Sequence, residues 1–428
     1  MLEWLRNKIK SDFIKVYFFD MVGKVFSVII SIVIIRCLTT SDYAQYTLFN
    51  SIGSFLNGVV GTSITLAYTR YAVILREREP GLEGMLYRYV RNKMFIFAGA
   101  IGAVSFLVFR MISDVSIVYV LGICYGLMLA LYQLNIVFFQ AREQYSFGGV
   151  VSNIKNILVA LVLSLIFISS VNVKLSPLLM VYLAVVALAW IVTLVLINKN
   201  LKKDGLVYSR ETGKQFFLAM LQDSGWIMMY AFMLSAFNQL DVMLLTYMRP
   251  QADVAGYGVA YKYYANVLSL LPALQVVLRV RNSKIEMATN KELRRRSVLE
   301  WVRKSAPLAL LLFVAGSIGS YLCFPILNGA KYNSSIFTFD ILLIGACLSY
   351  VTAPNVSFML SGGKQKTMFF LSIGSFLINA VGNYIFIPHY GANAAAVTTI
   401  MAHFFLNGGS TLILLLDKPD DKQGAQIS

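Results

Sequence analysis

Histidine, cysteine and acidic residues are scarce in this chain of 428 residues. It contains two histidines, four cysteines and 21 Asp and Glu residues. Two histidines do not build a metal centre by themselves, and cysteines without a CxxC spacing indicate neither a disulfide framework nor a zinc site. The sequence also lacks a nucleotide-binding P-loop, an HExxH sequence and a nucleophile elbow. We therefore predict that the chain is neither a metalloenzyme nor a nucleotide-driven motor, and that it is not an enzyme.

Charged residues make up only 14 % of the chain, whereas 58 % of the residues are hydrophobic and the mean hydropathy is +0.68. This composition is typical of a protein that crosses the membrane many times. The 37 Lys and Arg residues give a net charge of +16. In a membrane protein such an excess indicates orientation, because Lys and Arg collect in cytoplasmic loops. We therefore predict no nucleic-acid partner.

Long apolar stretches predict twelve transmembrane helices, since about 20 apolar residues cross a hydrocarbon core of about 30 Å. The first apolar run is as long as a span and no small-residue cleavage site follows it, so we expect a retained helix rather than a signal peptide. The predicted limits are 16–38, 44–68, 94–111, 115–139, 147–168, 177–197, 216–247, 254–278, 306–326, 336–361, 367–387 and 392–416.

Most basic residues fall in segments that are cytoplasmic when the N-terminus is inside, so both termini are predicted to be cytoplasmic. The predicted external loops are all short. A membrane polymerase or glycosyltransferase that acts on lipid-linked sugars usually carries a large external loop for its acceptor. The loop lengths therefore argue against that alternative.

The chain repeats itself weakly at an offset of 211 residues. The pattern D-x-A-x-Y occurs at 42–46 and again at 253–257, and Arg70 aligns with Arg281. Six spans followed by six equivalent spans form a parallel repeat, and transporters of this plan bind their substrate between the two halves. We expect an all-α protein with two six-helix lobes around a central cavity. The predicted parts are an N-terminal lobe at 1–197, a cytoplasmic linker at 198–215 and a C-terminal lobe at 216–428.

Ionisable residues at bilayer depth are costly and are functional candidates. In the first span, Asp20 and Lys24 begin a polar stripe that continues with Ser27 and Ser31 at helical spacing. We expect the stripe to face the cavity; alternatively, Asp20 and Lys24 only neutralise each other one turn apart.

The repeat places a second polar stripe on the seventh span. Lys24 aligns with Ser235, and Asn238 precedes Asp241 by less than one turn. Asp241 is a candidate for coupling transport to an ion gradient, as is Asp20, because burial favours the protonated form of a carboxyl group. The alternative is that Asp241 pairs with a neighbouring lysine and holds the lobe together.

The eighth span carries Lys262 and Asn266 one turn apart, with Tyr263 beside the lysine. A cation at this depth suits a phosphate or diphosphate group, and a tyrosine stacks on sugar faces. Lys155 in the fifth span is a second candidate cation, from the other lobe. The alternative for both lysines is that they extend to the nearer membrane interface.

A family resemblance is concentrated near the C-terminus. A short Gly-Lys turn at 361–366, Asn379 and Asn383, and the segment 387–396 (IPHYGANAAA) resemble the polysaccharide flippases of the Wzx type. These form a branch of the multidrug/oligosaccharidyl-lipid/polysaccharide exporter superfamily. Ala394 stands where the family motif has a second glycine. The segments 36–46 and 241–257 are similar to the family's matching segments, and the topology extends the resemblance over most of the chain.

The resemblance implies a flippase of the bacterial inner membrane. It would move an undecaprenyl-diphosphate-linked oligosaccharide, a unit of O-antigen or capsule, from the cytoplasmic to the periplasmic leaflet. Its partners would be membrane lipids and the polymerase and chain-length regulator of the same pathway. It would need no cofactor, and its energy would come from an ion gradient such as a proton or sodium gradient, from the membrane potential or from the substrate gradient. Lys24, Lys155 and Lys262 would line the cationic cavity, and Arg70 and Arg281 would guide the diphosphate in, unless they only specify topology.

The main alternative is a drug or cation antiporter of the same superfamily. Such an antiporter favours an acidic and aromatic cavity over one with lysines in three spans. Lipid II flippases of the superfamily commonly carry two further helices, for which a chain of 428 residues leaves little room.

Overall fold

The computed structural model of the chain describes residues 21–79, 81–111, 116–168, 174–203, 209–269, 271 and 291–416. Within these ranges the secondary structure is helical and no strand occurs. The helices are α1 (21–37), α2 (Thr40–Arg78), α3 (Leu82–Met111), α4 (Ile117–Ala141), α5 (Tyr145–Ile168), α6 (Leu175–Lys203), α7 (Arg210–Met248), α8 (Gln251–Leu268), α9 (Lys291–Asn328), α10 (Ser335–Val351), α11 (Ala353–Ser361) and α12 (Gln365–Leu416).

All twelve predicted spans coincide with these helices, which confirms the all-α membrane fold. Eight of the described helices are long and apolar enough to cross a membrane on their own, and α10 with α11 forms a ninth span bent by 50°. The helix α12 has 52 residues and contains two predicted spans. The remaining two predicted spans, 16–38 and 254–278, coincide with α1 and α8 and run on outside the described residues.

Helix α12 breaks where the sequence predicts the turn between spans eleven and twelve. Gly391 has φ 58° and ψ −134°, which interrupts the helical backbone, and Pro388 precedes it. A side chain disfavours this conformation, whereas glycine adopts it readily. The two limbs of α12 are then joined by buried polar groups. Asn383 donates to Asn379 at 3.2 Å and accepts from Thr398.

Helix ends repeat at the offset found in the sequence. The helix α1 ends at residue 37 and α7 ends at Met248, while α2 begins at Thr40 and α8 begins at Gln251. Both pairs are 211 residues apart, so the two halves turn at equivalent positions. This agreement of helix ends supports the parallel repeat.

The contacts of the chain divide it into two compact units, Met1–Ala255 and Gly256–Ser428. The helix α7 therefore packs with the helices that precede it. The repeat assigns the same helix to the C-terminal lobe of 216–428, and the lobe limits with their linker at 198–215 stay a prediction.

Glycines allow α2 and α4 of the first unit to approach closely. A Cβ on Gly126 would lie 2.6 Å from the carbonyl oxygen of Gly53, and a Cβ on Gly122 would lie 3.2 Å from the carbonyl oxygen of Phe49. Gly122 and Gly126 form a GxxxG pattern, which brings backbones together in membrane helices where lipid supplies little driving force for association.

A π-helical turn at Asn57–Thr62 interrupts α2 near its middle. Gly58 in this turn meets α7, where a Cβ on the glycine would lie 2.2 Å from Ser235 Oγ. Such single turns often occur at functional sites. The turn therefore lies at the packed contact between α2 and the polar stripe of α7.

Candidate functional site

Lys24 and Lys155, the two predicted cations of the first unit, lie close to a contact between α1 and α5. A Cβ on Gly23 would lie 1.7 Å from Asn153 Oδ1, so α1 and α5 touch beside Lys24 and two residues before Lys155. The Nζ of Lys24 is shielded from solvent. Ser31 of the same stripe is buried and donates to the carbonyl oxygen of Ser27 at 2.6 Å. Asp20, the first residue of the predicted stripe, lies outside the described residues.

Lys155 is half-buried within α5, inside a predicted span. Among the described residues its ammonium has neither a hydrogen-bond acceptor nor an ion-pair partner. The nearby Tyr132 hydroxyl donates to the carbonyl oxygen of Val151 instead. A partly buried cation in this state has an unused capacity to bind an anion.

The polar stripe of α7 faces α2 over part of its length. Ser235 packs on Gly58, and the carbonyl oxygen of Gln239 accepts a hydrogen bond from Ser51 at 3.3 Å. Asn238 is half-buried and Asp241 is buried. These contacts place the stripe inside the first unit rather than on the surface toward lipid.

Arg70 forms an ion pair with Asp223. The Nε to Oδ2 distance is 3.1 Å and the Nη2 to Oδ1 distance is 3.4 Å. The structure thus brings together one predicted site residue, Arg70, and a carboxylate that the sequence places toward the cytoplasmic end of the seventh span. Arg281, the repeat equivalent of Arg70, lies outside the described residues.

In the second unit, Lys262 and Asn266 are half-buried on α8. The Nδ2 of Asn266 is shielded from solvent and has no hydrogen-bond acceptor among the described residues. A buried amide donor of this kind is costly unless a further group satisfies it. Lys262 and Asn266 therefore offer a cation and a donor one turn apart on one helix.

Tyr263 is directed to other partners. Its hydroxyl donates to Asn328 Oδ1 at 2.8 Å, and its ring contacts Phe324 and Phe339 with centroids 4.5 Å and 6.5 Å apart. These contacts pack α8 on α9 and α10. The side chain that the sequence suggested as a sugar-stacking group therefore packs against residues of the protein itself.

Sequence reasoning missed two pairs of interacting residues. Glu83 and Arg142 form a buried ion pair with an Oε1 to Nε distance of 2.9 Å. His403 and Tyr264 are buried, and their Nε2 and Oη atoms are 3.2 Å apart. The members of each pair are far apart in the sequence, so spacing gives no signal; the rarity of histidine was the only available hint.

No group of three metal-ligating side chains occurs among the described residues. The candidate residues of each unit are cations and amides on apolar helices, a set of groups that suits an anionic organic ligand better than a metal ion.

The fold of the chain is similar to that of several transporters of known structure. The chain is similar to the lipid II flippase MurJ in an inward closed conformation, with a TM-score of 0.68 and 15 % identity over 94 % of this chain and 87 % of that one. It is also similar to an inward-facing multidrug resistance MATE family transporter, with a TM-score of 0.66 and 11 % identity over 91 % and 93 % of the two chains.

A third similar structure is a MOP superfamily transporter from Pyrococcus furiosus, with a TM-score of 0.63 and 13 % identity over 95 % of both chains. No protein-family model and no curated protein sequence matches the chain. At these identities the likeness shows the shared fold. It confirms the all-α fold class expected from the sequence.

Proposed function

We propose that the chain is a flippase for an undecaprenyl-diphosphate-linked oligosaccharide, a unit of O-antigen or capsule. The observation that carries the proposal is Lys155, a half-buried cation inside a span without a counter-ion among the described residues. A lysine in a membrane helix costs about 2.5 kcal/mol or more on insertion scales, so it persists where it has a function or a partner. A diphosphate supplies the missing negative charge and several hydrogen-bond acceptors.

The second unit adds support from a separate helix. Asn266 Nδ2 is a buried donor without an acceptor in the described part of the chain, and it follows Lys262 by one turn. A phosphate oxygen satisfies such a donor and interacts with the adjacent cation. Each unit thus carries groups that suit an anionic headgroup.

The similar structures support transport of a lipid-linked or a soluble substrate. One of them is described as a lipid II flippase and another as a multidrug resistance transporter. For the transporter from Pyrococcus furiosus, a reversed polarity of the binding pocket is reported to suggest a different function. The lysines of this chain favour an anionic substrate.

A drug or cation antiporter is the second candidate. The observation in its favour is the buried carboxyl group of Asp241 on α7, since antiporters for cations favour acidic cavities. We give the flippase precedence because Lys24, Lys155 and Lys262 place cations in three different spans.

The proposed cycle uses alternating access driven by a proton or sodium gradient, with Asp20 and Asp241 as coupling candidates. The protein would reside in a bacterial inner membrane with both termini in the cytoplasm. It would deliver its substrate to the polymerase and chain-length regulator of the same pathway.

The proposal is tested with the purified full chain in liposomes, using a fluorescent polyprenyl-diphosphate disaccharide as probe and a membrane-impermeant quencher. We expect the protein to move the probe between leaflets and K155Q to slow this movement at least tenfold. K155R retains the cation and should keep most of the activity. The control is K174Q, because Lys174 is exposed just before α6.

Three results would contradict the proposal. Transport of an organic cation without movement of the diphosphate probe would favour the antiporter. Unchanged flipping by K155Q would remove Lys155 from the site. In cells that make a surface glycan, deletion of the gene should trap the lipid-linked unit in the cytoplasmic leaflet; if the unit still reached the periplasm and only chain extension failed, the polymerase alternative would hold.

A further inference from the structure

The second unit contains a buried histidine that the proposed transport site does not use. His403 lies on the second limb of α12, and its Nε2 is 3.2 Å from the hydroxyl oxygen of Tyr264 on α8. Both side chains are buried. The third helix at this point is α10, where Gly345 faces the pair: a Cβ on it would lie at ordinary van der Waals distance, 3.8 Å from Tyr264 Oη and 3.9 Å from His403 Cδ2.

The three helices meet near the middle of their predicted spans. Tyr264 lies about 13 residues after the start of α8, and Gly345 about ten residues after the start of α10. His403 lies about 12 residues after the break at Gly391. At 1.5 Å per helical residue this distance is about 15–20 Å, or roughly half of a hydrocarbon core. A titratable group at this depth is a functional candidate by default.

The Tyr264–His403 hydrogen bond depends on the protonation state of the imidazole. A neutral imidazole can accept the hydroxyl proton at Nε2, whereas an imidazolium donates from both nitrogens. In the tautomer that carries its proton on Nδ1, addition of one proton makes Nε2 a donor, so the Tyr264 oxygen becomes the acceptor and its own hydrogen turns elsewhere. From that tautomer, the direction of the bond between α8 and α12 reverses with a single proton.

Helix α8 connects this bond to the proposed substrate site. Tyr264 lies between Lys262 and Asn266 in the sequence, and its ring contacts Tyr261 with centroids 5.7 Å apart. A change at Tyr264 is therefore a change on the helix that carries the cation and the amide of the second unit.

Several helices around His403 carry ionisable side chains. On α8 they include Tyr261, Lys262 and Tyr264, of which Tyr264 contacts His403, whereas the sequence of α11 contains none. Three further ionisable side chains of α10 are bonded elsewhere: Asp340 accepts from Ser320, Cys347 donates to the carbonyl oxygen of Ala309, and Tyr350 donates to that of Val267. On α12 itself, Ser375 donates to the carbonyl oxygen of Ala402.

We propose that His403 is a proton-binding site of the transport cycle, and that Tyr264 passes its protonation state to α8. Uptake forms an N–H bond at the imidazole lone pair as an O–H bond of a hydronium ion breaks and leaves water; release reverses this transfer. The proposal rests on the proposed transport function, but it holds for either substrate class.

The test compares the full chain with H403Q and H389Q in liposomes under imposed pH gradients. Glutamine keeps a hydrogen-bonding group at position 403 but does not titrate. We expect the wild-type rate to change at least fivefold with the pH gradient, and this dependence to disappear in H403Q. His389 is exposed beside the external turn, so H389Q is the matched control and should keep the dependence.

Two probes separate the failure of this proposal from the failure of the proposed function. The diphosphate lipid and an organic cation are each used as substrate, and the one that the wild type moves decides the function. Loss of pH dependence in H403Q with that probe supports His403. A retained dependence would overturn the role of His403 whichever substrate is moved.

A direct measurement is available because the chain has only two histidines. In H389Q protein labelled with ¹⁵N-histidine, the ring signals belong to His403 alone. We expect these signals to change protonation state over the pH interval in which the transport rate changes, and Y264F to shift that interval. A ring that stays in one state throughout the interval would rule out the proton site.

Discussion

Arg70 of α2 holds the carboxylate of Asp223 on α7 through two nitrogen–oxygen pairs, at 3.1 Å and 3.4 Å. Further along the same two helices Gly58 packs on Ser235, and Ser51 donates to Gln239. The segment of α2 from residue 51 to residue 70 is about 28 Å long. The helices α2 and α7 are thus in contact across most of a membrane, and the ion pair lies at one end of this contact.

Exchange of the two charges tests what Arg70 does. If Arg70 serves mainly to hold α7, R70D and D223R should each reduce flipping several-fold, and the double variant R70D/D223R should recover most of it. The side chains are 42 % and 37 % exposed, so the pair adds little to stability, about 0–1 kcal/mol. The measurement is the initial flipping rate, together with the amount of folded protein.

We expect the double variant to recover activity, because the observed partner of Arg70 is Asp223. R78A is the control, since Arg78 is exposed at the same end of α2. Failure of the double variant, with single D223N remaining active, would instead indicate that Arg70 acts on the diphosphate, as the resemblance to flippases implies.

Substitution of Gly126 tests the close contact of α2 and α4. A Cβ at this position would lie 2.6 Å from a backbone oxygen, which cannot move as a flexible side chain can. We expect G126V to lower the midpoint of thermal unfolding in detergent by several degrees or to prevent accumulation in the membrane. The control is G99A, because nothing lies within 4 Å of a Cβ there and alanine favours a helix over glycine by about 0.5–1 kcal/mol. Equal stability of G126V and G99A would show that the two helices are further apart.

The extent to which the fold follows from the sequence differs between its parts. Span positions and the turn at 388–391 follow from local hydropathy, proline and glycine, and the helix ends at 37 and 248 agree with the repeat. Pairs of residues that are distant in the sequence and come into contact only in the folded chain cannot be predicted from the sequence. Arg70 and Asp223 are 153 residues apart, and Tyr264 and His403 are 139 apart, so only the packing of helices identifies them. In the same way Tyr263 was suggested by its place beside Lys262, whereas its direction on the helix brings it to Asn328.

Glu83 and Arg142 provide the strongest test of a buried interaction in the first unit. Their side chains are only 3 % and 9 % exposed, and their Oε1 and Nε atoms are 2.9 Å apart. The other carboxylate oxygen of Glu83 accepts the backbone N–H of Gly81 at 2.8 Å, and the Arg142 guanidinium lies 4.5 Å from the centroid of the Phe138 ring. The ion pair therefore joins the C-terminal end of α4 to the N-terminal end of α3.

Removal of one partner should destabilise the protein far more than removal of both. R142M leaves Glu83 buried without its counter-charge, which costs about 3–5 kcal/mol, whereas E83Q/R142M removes both charges and should recover much of the loss. The matched control is E292Q, since the pair of Glu292 and Arg296 is 52 % and 75 % exposed and contributes about 0–1 kcal/mol. Thermal unfolding in detergent measures the four proteins side by side. If R142M unfolded at the same temperature as E292Q, the pair would be accessible to water and would not join α3 to α4.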